Sequence, residues 1–176
     1  MIKKKINTLF LIILILTGSF SASCGQKAAI TATPMELMTK IVDLFPEIPP
    51  AKTIYYEGTG EFEKGYFDPE FAGYLYTGKY HEDFKELDKL ESYAVRIPDG
   101  KSVFEIHILK VKDPSDADSI AGLCRERISI LKTGDVAEYD PESFYKIIEK
   151  SEVYTAGNYI FLLSTTDNDA VKAVLN

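Results

Sequence analysis

The chain has 176 residues, of which 45% are hydrophobic, and it carries a formal net charge of −7 at pH 7. This length is sufficient for one domain with a hydrophobic core, and we do not expect two. The excess of acidic side chains repels phosphate backbones and anionic lipid headgroups, so the composition argues against nucleic-acid binding and against membrane attachment through a basic surface. Affinity for cations stays open.

The first 24 residues have the pattern of an export signal. The lysines Lys3–Lys5 precede an uninterrupted apolar run, Leu9–Leu16, and small residues then lead to Cys24. The run is too short to span the hydrocarbon core of a membrane, and its cationic start and small-residue end are typical of a cleaved signal peptide. We therefore predict removal of residues 1–23, which leaves 153 residues with a formal charge of −10 because three lysines and no acid are lost.

The segment Ser21-Ala22-Ser23-Cys24 looks like the lipobox of bacterial lipoproteins, in which the cysteine becomes the first mature residue and carries the lipid. On this interpretation Cys24 is the lipid-attachment residue and residues 24–32 form a short tether. Residues 33–176 then form a single domain at the extracytoplasmic face of the cell membrane. The alternative is an ordinary secretory cleavage at the same place, without a lipid.

Capping signals predict where the helices begin. A hydroxyl or carboxylate side chain followed by proline is typical of a helix start, and an acid three residues after the cap strengthens the signal. The predicted starts are Thr33-Pro34, Asp68-Pro69, Asp113-Pro114, Asp140-Pro141 and Asp167. The Asp113 helix is the longest, and its apolar stripe includes Cys124, which we therefore expect to point into the core.

Residues 51–90 contain many aromatic side chains without a sustained period, and we predict mostly loop there apart from the short Asp68 helix, which ends at Gly78. Alternating patterns then predict two hairpins, one joined at residues 98–101 and one joined at Gly157-Asn158. In the first hairpin the predicted register pairs Val95 with Phe104, which would bring Arg96 and Glu105 together as an ion pair. The fold class is α+β: a two-layer sandwich with a four-stranded, mainly antiparallel sheet and helices packed on one face.

Several short motifs follow one another at characteristic spacing in this chain. They are Tyr93-Ala94-Val95-Arg96, Phe104-Glu105-Ile106 before the Asp113 helix, Arg127, Tyr139 with Pro141, and Gly157-Asn158-Tyr159. In their order the chain resembles an uncharacterised family of small bacterial lipoproteins, the domain of unknown function 4358, over roughly Thr33 to Leu175. The family is found mainly in Gram-positive anaerobes. The resemblance implies no activity, cofactor or catalytic residue.

No residue set predicts a catalytic centre, a metal site or a bound cofactor. A reactive cysteine needs solvent access and a basic neighbour, whereas the helical pattern buries Cys124. His107 falls on the strand face shared with Glu105, where we expect a surface or interfacial histidine. The clusters His81-Glu82-Asp83 and Asp113-Asp116-Asp118 do not match an established ligand spacing, and acids at a helix start are explained by capping.

The candidate ligand surface combines tyrosines with charged residues of the hairpin and the long helix. It consists of Tyr55, Tyr56, Tyr66, Tyr74, Tyr76, Tyr80, Arg96, Glu105, Arg127 and Tyr139. Tyrosines on such a surface can stack on sugars or bind a peptide. Two alternatives stay open: the tyrosine rings cover a sheet face, and Arg127 fixes the turn at Tyr139-Asp140-Pro141.

The sequence therefore predicts a lipid-anchored binding module for a cell-envelope component, a peptide or an envelope protein. The alternative is an envelope enzyme or a solute-binding accessory that uses carboxylates such as Glu61, Glu63, Asp68 or Glu105, with or without a divalent cation. A deep pocket with converging acids would favour the enzyme, and a shallow surface lined by tyrosines would favour the binding module.

Overall fold

The computed structural model describes residues 30–58, 67–133, 138 and 141–175. The described helices are α1 (Pro34–Val42), α2 (Pro69–Thr77), α3 (Ala117–Thr133), α4 (Pro141–Ile148) and α5 (Asn168–Val174). The described strands are β1 (Ala51–Tyr56), β2 (Leu90–Pro98), β3 (Glu105–Val111), β4 (Glu152–Ala156) and β5 (Tyr159–Ser164). Two short 3-10 helices, Lys85–Lys89 and Pro114–Asp116, precede β2 and α3. None of the helices in these ranges is long and apolar enough to cross a membrane.

The described strands form one antiparallel sheet in the order β1-β2-β3-β5-β4. The α+β class is confirmed, but the prediction of four strands is wrong because Ala51–Tyr56 pairs with β2 as a fifth strand. Its β-branched and aromatic residues favour extended backbone. Only Ile54 is buried in this edge strand, so the strand lacks the alternation of apolar and polar residues that usually identifies a strand in a sequence.

Helices cover both faces of the sheet, and the predicted two-layer sandwich with helices on one face is wrong. Alternate residues of a strand point to opposite faces. In β5, Phe161 and Leu163 belong to a cluster with α1, α4 and α5, whereas Ile160 and Leu162 belong to a cluster with α2 and most of α3. We call these two sides of the sheet the α1 face and the α3 face.

The β2–β3 hairpin has a different register from the predicted one. Val95 pairs with His107, three positions further along β3 than the predicted partner, Phe104. Because the shift is odd, each β3 side chain lies on the opposite face from the one predicted. Phe104 belongs to the connection, which spans residues 99–104. Both faces of the hairpin are apolar, so the hydrophobic pattern alone does not fix the register.

Local capping signals place the ends of α1, α2 and α5 correctly, whereas Asp113 caps the 3-10 helix that precedes α3. Thr33 and Glu36 form the predicted capping box of α1, and the Asp68 carboxylate accepts a hydrogen bond from the Phe71 amide at the start of α2. Gly78 ends α2 with a φ of 71°, a backbone conformation that glycine adopts without steric cost. Asp167 caps α5 in the same way as Asp68 caps α2.

Candidate functional site

A buried charged cluster lies between β3 and α3. Glu105 and His107 are two positions apart on β3 and share the α3 face, where they are 1% and 0% exposed. Arg127 of α3 donates from Nε to Glu105 Oε2 at 3.0 Å and from Nη2 to Oε1. His107 Nε2 lies 3.2 Å from Glu105 Oε2, although the pair is not well aligned for a hydrogen bond. The expectation of a surface or interfacial His107 is therefore wrong.

Tyr76 extends the cluster to α2. Its hydroxyl lies 2.9 Å from His107 Nδ1, and its ring meets the imidazole edge to face. Because an ionised carboxylate can only accept, we assign the imidazole proton to Nε2, which faces Glu105. The Tyr76 hydroxyl then donates to Nδ1. The cluster thus joins α2, β3 and α3 through three buried side chains and the partly buried Arg127.

Burial and pairing fix the charge states in this cluster. Burial would raise the pKa of Glu105, but the facing N–H of His107 together with the hydrogen bonds and positive charge of Arg127 outweigh it and hold this pKa below its usual value. Burial lowers the pKa of His107 and raises the pKa of Tyr76 well above its usual value. The cluster consequently contains an ionised carboxylate paired with arginine, a neutral imidazole and a neutral phenol.

The order of carboxylate, imidazole and hydroxyl is the order of a proton-transfer chain. A substrate would have to contact the hydroxyl at its end, yet the Tyr76 side chain is buried beneath Phe84 and Phe67. In this structure the cluster connects two helices to the sheet, because α2 contributes Tyr76 and α3 contributes Arg127 to contacts with side chains of β3.

The sequence analysis selected Glu105, Arg127 and Tyr76 as candidate site residues but not His107. The available signal for His107 was its position two residues after Glu105 on the same strand.

Arg96 lies apart from this cluster, on the α1 face of the sheet. Its Nη2 donates to the Pro49 carbonyl at 2.6 Å, and its guanidinium sits over the Phe104 ring. Burial lowers its pKa. Among the described residues, its Nη1 has no hydrogen-bond partner. The predicted Arg96–Glu105 ion pair is wrong, because the corrected register places the two side chains on opposite faces.

The predicted tyrosines that the structure describes do not form one surface. Tyr55 and Tyr56 are neighbours on the edge strand β1, are half-buried and pack against opposite faces of the sheet. Tyr76 is buried with Phe67 and Tyr93 over the α3 face, so for this tyrosine the alternative of packing over the sheet is correct. Tyr74 and Tyr80 remain exposed. Their rings stack with centroids 4.7 Å apart and an interplanar angle of 18°.

Three of the carboxylates considered for catalysis or metal binding have structural partners among the described residues. Asp68 caps α2, and the Asp113 carboxylate accepts from the Ser115 amide, which lowers the Asp113 pKa. The His81-Glu82-Asp83 residues are exposed, and Asp83 pairs with Lys85. Within the described ranges, no group of three or more histidine, cysteine or acidic side chains is arranged to hold a metal ion.

Several predicted positions lie outside the described residues. They are Cys24, Glu61, Glu63, Tyr66 and Tyr139. The turn that Arg127 was a candidate to fix, Tyr139-Asp140, also lies there, and in the described part Arg127 instead binds Glu105.

Residues 85–165 match a family model described as a domain of unknown function, DUF4358. This finding supports the presence of such a domain and confirms the resemblance over this span, which contains β2 to β5 and the cluster residues Glu105, His107 and Arg127. The span does not include α1, β1 or α2, so Tyr76 and the stacked Tyr74–Tyr80 pair lie outside it. Comparisons with curated proteins and with solved structures gave no match.

Proposed function

We propose that this protein is a membrane-anchored extracytoplasmic lipoprotein that serves as a binding module for a cell-envelope component, a peptide or an envelope protein. The signal-like segment before Cys24 supports the location. The observation that carries the binding role is the stacked, exposed pair Tyr74 and Tyr80.

Tyr74 and Tyr80 are 47% and 70% exposed, whereas the other aromatic rings between residues 67 and 84 pack over the sheet. The left-handed turn at Gly78 reverses the chain after α2 and brings the Tyr80 ring back onto Tyr74. Two parallel rings with polar hydroxyl tips provide a flat, amphipathic surface. Such surfaces bind sugar rings or apolar peptide side chains while their hydroxyl groups stay in water.

Of the carboxylates named for the enzymatic alternative, the structure describes Glu105 and Asp68, and neither favours it. Glu105 is held in two hydrogen bonds from Arg127, and Asp68 is used as a helix cap. Neither carboxylate faces a shared cleft with a second acid among the described residues, so the binding module remains the better supported function.

The location is tested in a bacterial host that expresses the full chain with a radiolabelled fatty acid in the medium. The unaltered protein is expected to incorporate the label and to partition with detergent, because lipid attachment requires the Cys24 thiol. Cys24→Ala should lose the label, whereas Cys124→Ala should keep it. Equal labelling of the Cys24→Ala protein would contradict the anchor.

The binding role is tested by co-sedimentation of the detergent-solubilised protein with isolated cell-wall fragments and by thermal shift with glycan and peptide fragments of the wall. Replacing both rings, Tyr74→Ala with Tyr80→Ala, should weaken binding by about tenfold, because stacking of aromatic rings contributes on the order of 1 kcal/mol. Tyr145→Ala, which removes an exposed ring from α4, is the matched control. Equal binding by the double variant and the control would contradict this role for the pair.

A further inference from the structure

A groove of about 370 Å³ separates α3 from β4 on the α3 face of the sheet. Arg125, Ile128, Ser129 and Lys132 line one wall, and their spacing places them on one side of the helix. Glu152 and Val153 contribute to the other wall. The helix wall thus presents two cations, a hydroxyl group and an aliphatic side chain to β4, and neither Tyr74 nor Tyr80 lines the groove.

The strand on this groove is an edge of the sheet. In the described part of the chain, β4 pairs with β5 on one side and with no strand on the other. Ala156 and Tyr159 flank the two-residue turn and exchange hydrogen bonds, so alternate residues, Tyr154 and Glu152, also bond to β5. The amides and carbonyls of Val153 and Thr155 consequently point away from β5, where another strand can pair with them.

The groove differs in charge from the rest of the protein. The whole chain has a net charge of −7, but Arg125 and Lys132 are both exposed at this groove. The acid on the opposite wall, Glu152, forms an ion pair with Lys172, whose Nζ lies 2.8 Å from Glu152 Oε1 and 2.9 Å from Asp169 Oδ1, so the groove itself presents two cations against one acid. The local excess of positive charge is therefore complementary to a ligand that carries carboxylates.

We propose that an extended acidic peptide segment binds in this groove, adding to the sheet as a strand beside β4 and placing its carboxylates against Arg125 and Lys132. Main-chain hydrogen bonds to Val153 and Thr155 supply part of the affinity, and the charges on α3 select acidic partners. This inference rests on the proposed role as a binding module and names a partner class for it. It uses a different surface from the Tyr74–Tyr80 pair.

The backbone contribution is tested with one substitution at the exposed side of β4. Thr155→Pro removes an amide that points away from β5, so the proline leaves the β4–β5 hydrogen bonds in place. The probe is a fluorescent peptide of about eight residues, with alternating threonine and valine and two terminal aspartates, which matches the length of a typical strand. Binding to the full chain in mild detergent is measured by fluorescence anisotropy. Thr155→Val is the matched control, and thermal unfolding verifies that both variants are folded.

The charge contribution is tested with Arg125→Glu combined with Lys132→Glu. We expect this variant and Thr155→Pro each to bind the acidic peptide at least about tenfold more weakly, as expected when charge-assisted or main-chain hydrogen bonds are lost. The control is Lys40→Glu combined with Lys79→Glu, which makes the same charge change at exposed positions on α1 and after α2. A peptide that ends in two lysines should bind the unaltered protein weakly and the Arg125/Lys132 variant more tightly.

Unchanged peptide binding by Thr155→Pro would overturn strand addition, and equal affinity for the acidic and basic peptides would overturn the charge selection. A concentration-dependent dimer that Thr155→Pro abolishes would assign the groove to a second copy of this chain instead. If the peptide binds only after residues 24–32 are removed, the groove would be assigned to the tether as its occupant. The two proposals are tested independently. The Tyr74/Tyr80 variant should lose wall binding and keep peptide binding, so a failure of one proposal can be distinguished from a failure of the other.

Discussion

Arg127 on α3 binds both carboxylate oxygens of Glu105 on β3 in an ion pair whose carboxylate is buried and whose arginine side chain is 14% exposed. The pair connects the longest described helix to a central strand of the sheet. Because two charges are removed from water together, their net contribution to stability is small compared with the cost of separating them. This asymmetry makes the pair sensitive to the loss of either partner.

Arg127→Met should lower the free energy of unfolding by about 3 kcal/mol, because it leaves the Glu105 carboxylate buried without its positive partner. Adding Glu105→Gln should recover part of that loss, since the uncompensated charge is then removed. The measurement is a double-mutant cycle by urea unfolding. Arg125→Met, at an exposed position on the same helix, should change stability by no more than about 0.5 kcal/mol. Additive effects of the Arg127 and Glu105 substitutions would contradict the ion pair.

Arg96 and Glu105 should behave independently in the same kind of cycle. In the observed register Arg96 pairs with Ile106, so its side chain lies on the α1 face while Glu105 lies on the α3 face. Arg96→Ala and Glu105→Gln share no partner, and their effects should add to within about 0.5 kcal/mol. A coupling comparable with that of Arg127 and Glu105 would instead support the register in which Val95 faces Phe104.

The free energy of unfolding should decrease as the pH falls below 6.5, the ordinary pKa of histidine. Burial lowers the pKa of His107, so the unfolded chain binds a proton in a pH range where the folded chain does not. The slope of the free energy of unfolding against pH approaches about 1.4 kcal/mol per pH unit until the pH reaches the pKa of His107 in the folded protein. Glu105, whose pKa is also lowered, adds a loss of the same sign below 4.5.

Urea unfolding between about pH 5 and pH 7 measures this dependence, because histidine titrates in that range. His107→Gln should flatten the curve there, and it should leave the loss caused by Glu105 at lower pH. His81→Gln replaces the only other histidine, an exposed one, and should preserve the slope. A slope that survives His107→Gln but disappears with His81→Gln would contradict this assignment.

The parts of the fold that could be predicted are those determined by neighbouring residues. The hydroxyl of Thr33, the carboxylates of Asp68 and Asp167 and the glycine at 157 each act on backbone groups within a few positions, and all four were predicted correctly. Their energetics do not depend on how distant elements pack. The β4–β5 hairpin is local in the same sense, because a two-residue turn fixes its register.

The parts that could not be predicted depend on contacts between distant residues. The residues of β5 are apolar on both faces, but that pattern does not reveal which helices cover each side. With both faces apolar, a register shift in β2–β3 exchanges one hydrophobic surface for another and leaves the pattern equally satisfied. The error placed Glu105 diagonally across from Arg96, on the same face of the sheet. The correct partner, Arg127, is 22 residues away in sequence and becomes a neighbour only when α3 packs on the sheet.

The Cys124 thiol should react slowly with iodoacetamide in the folded protein at about pH 8, because the thiolate is the reactive species. Burial raises the pKa of Cys124 to about 12, and the side chain is fully enclosed by the α3-face cluster. Peptide mass spectrometry measures labelling of Cys124 alone, whatever the state of Cys24.

The control is Ser129→Cys, which places a thiol on the exposed side of the same helix and should be labelled quickly under the same conditions. In denaturant the two thiols should react at similar rates, so the native difference reports the free energy of opening α3 from the sheet. Equal native rates at positions 124 and 129 would mean that α3 does not pack on the sheet as described, and would also remove the structural basis of the Arg127–Glu105 pair.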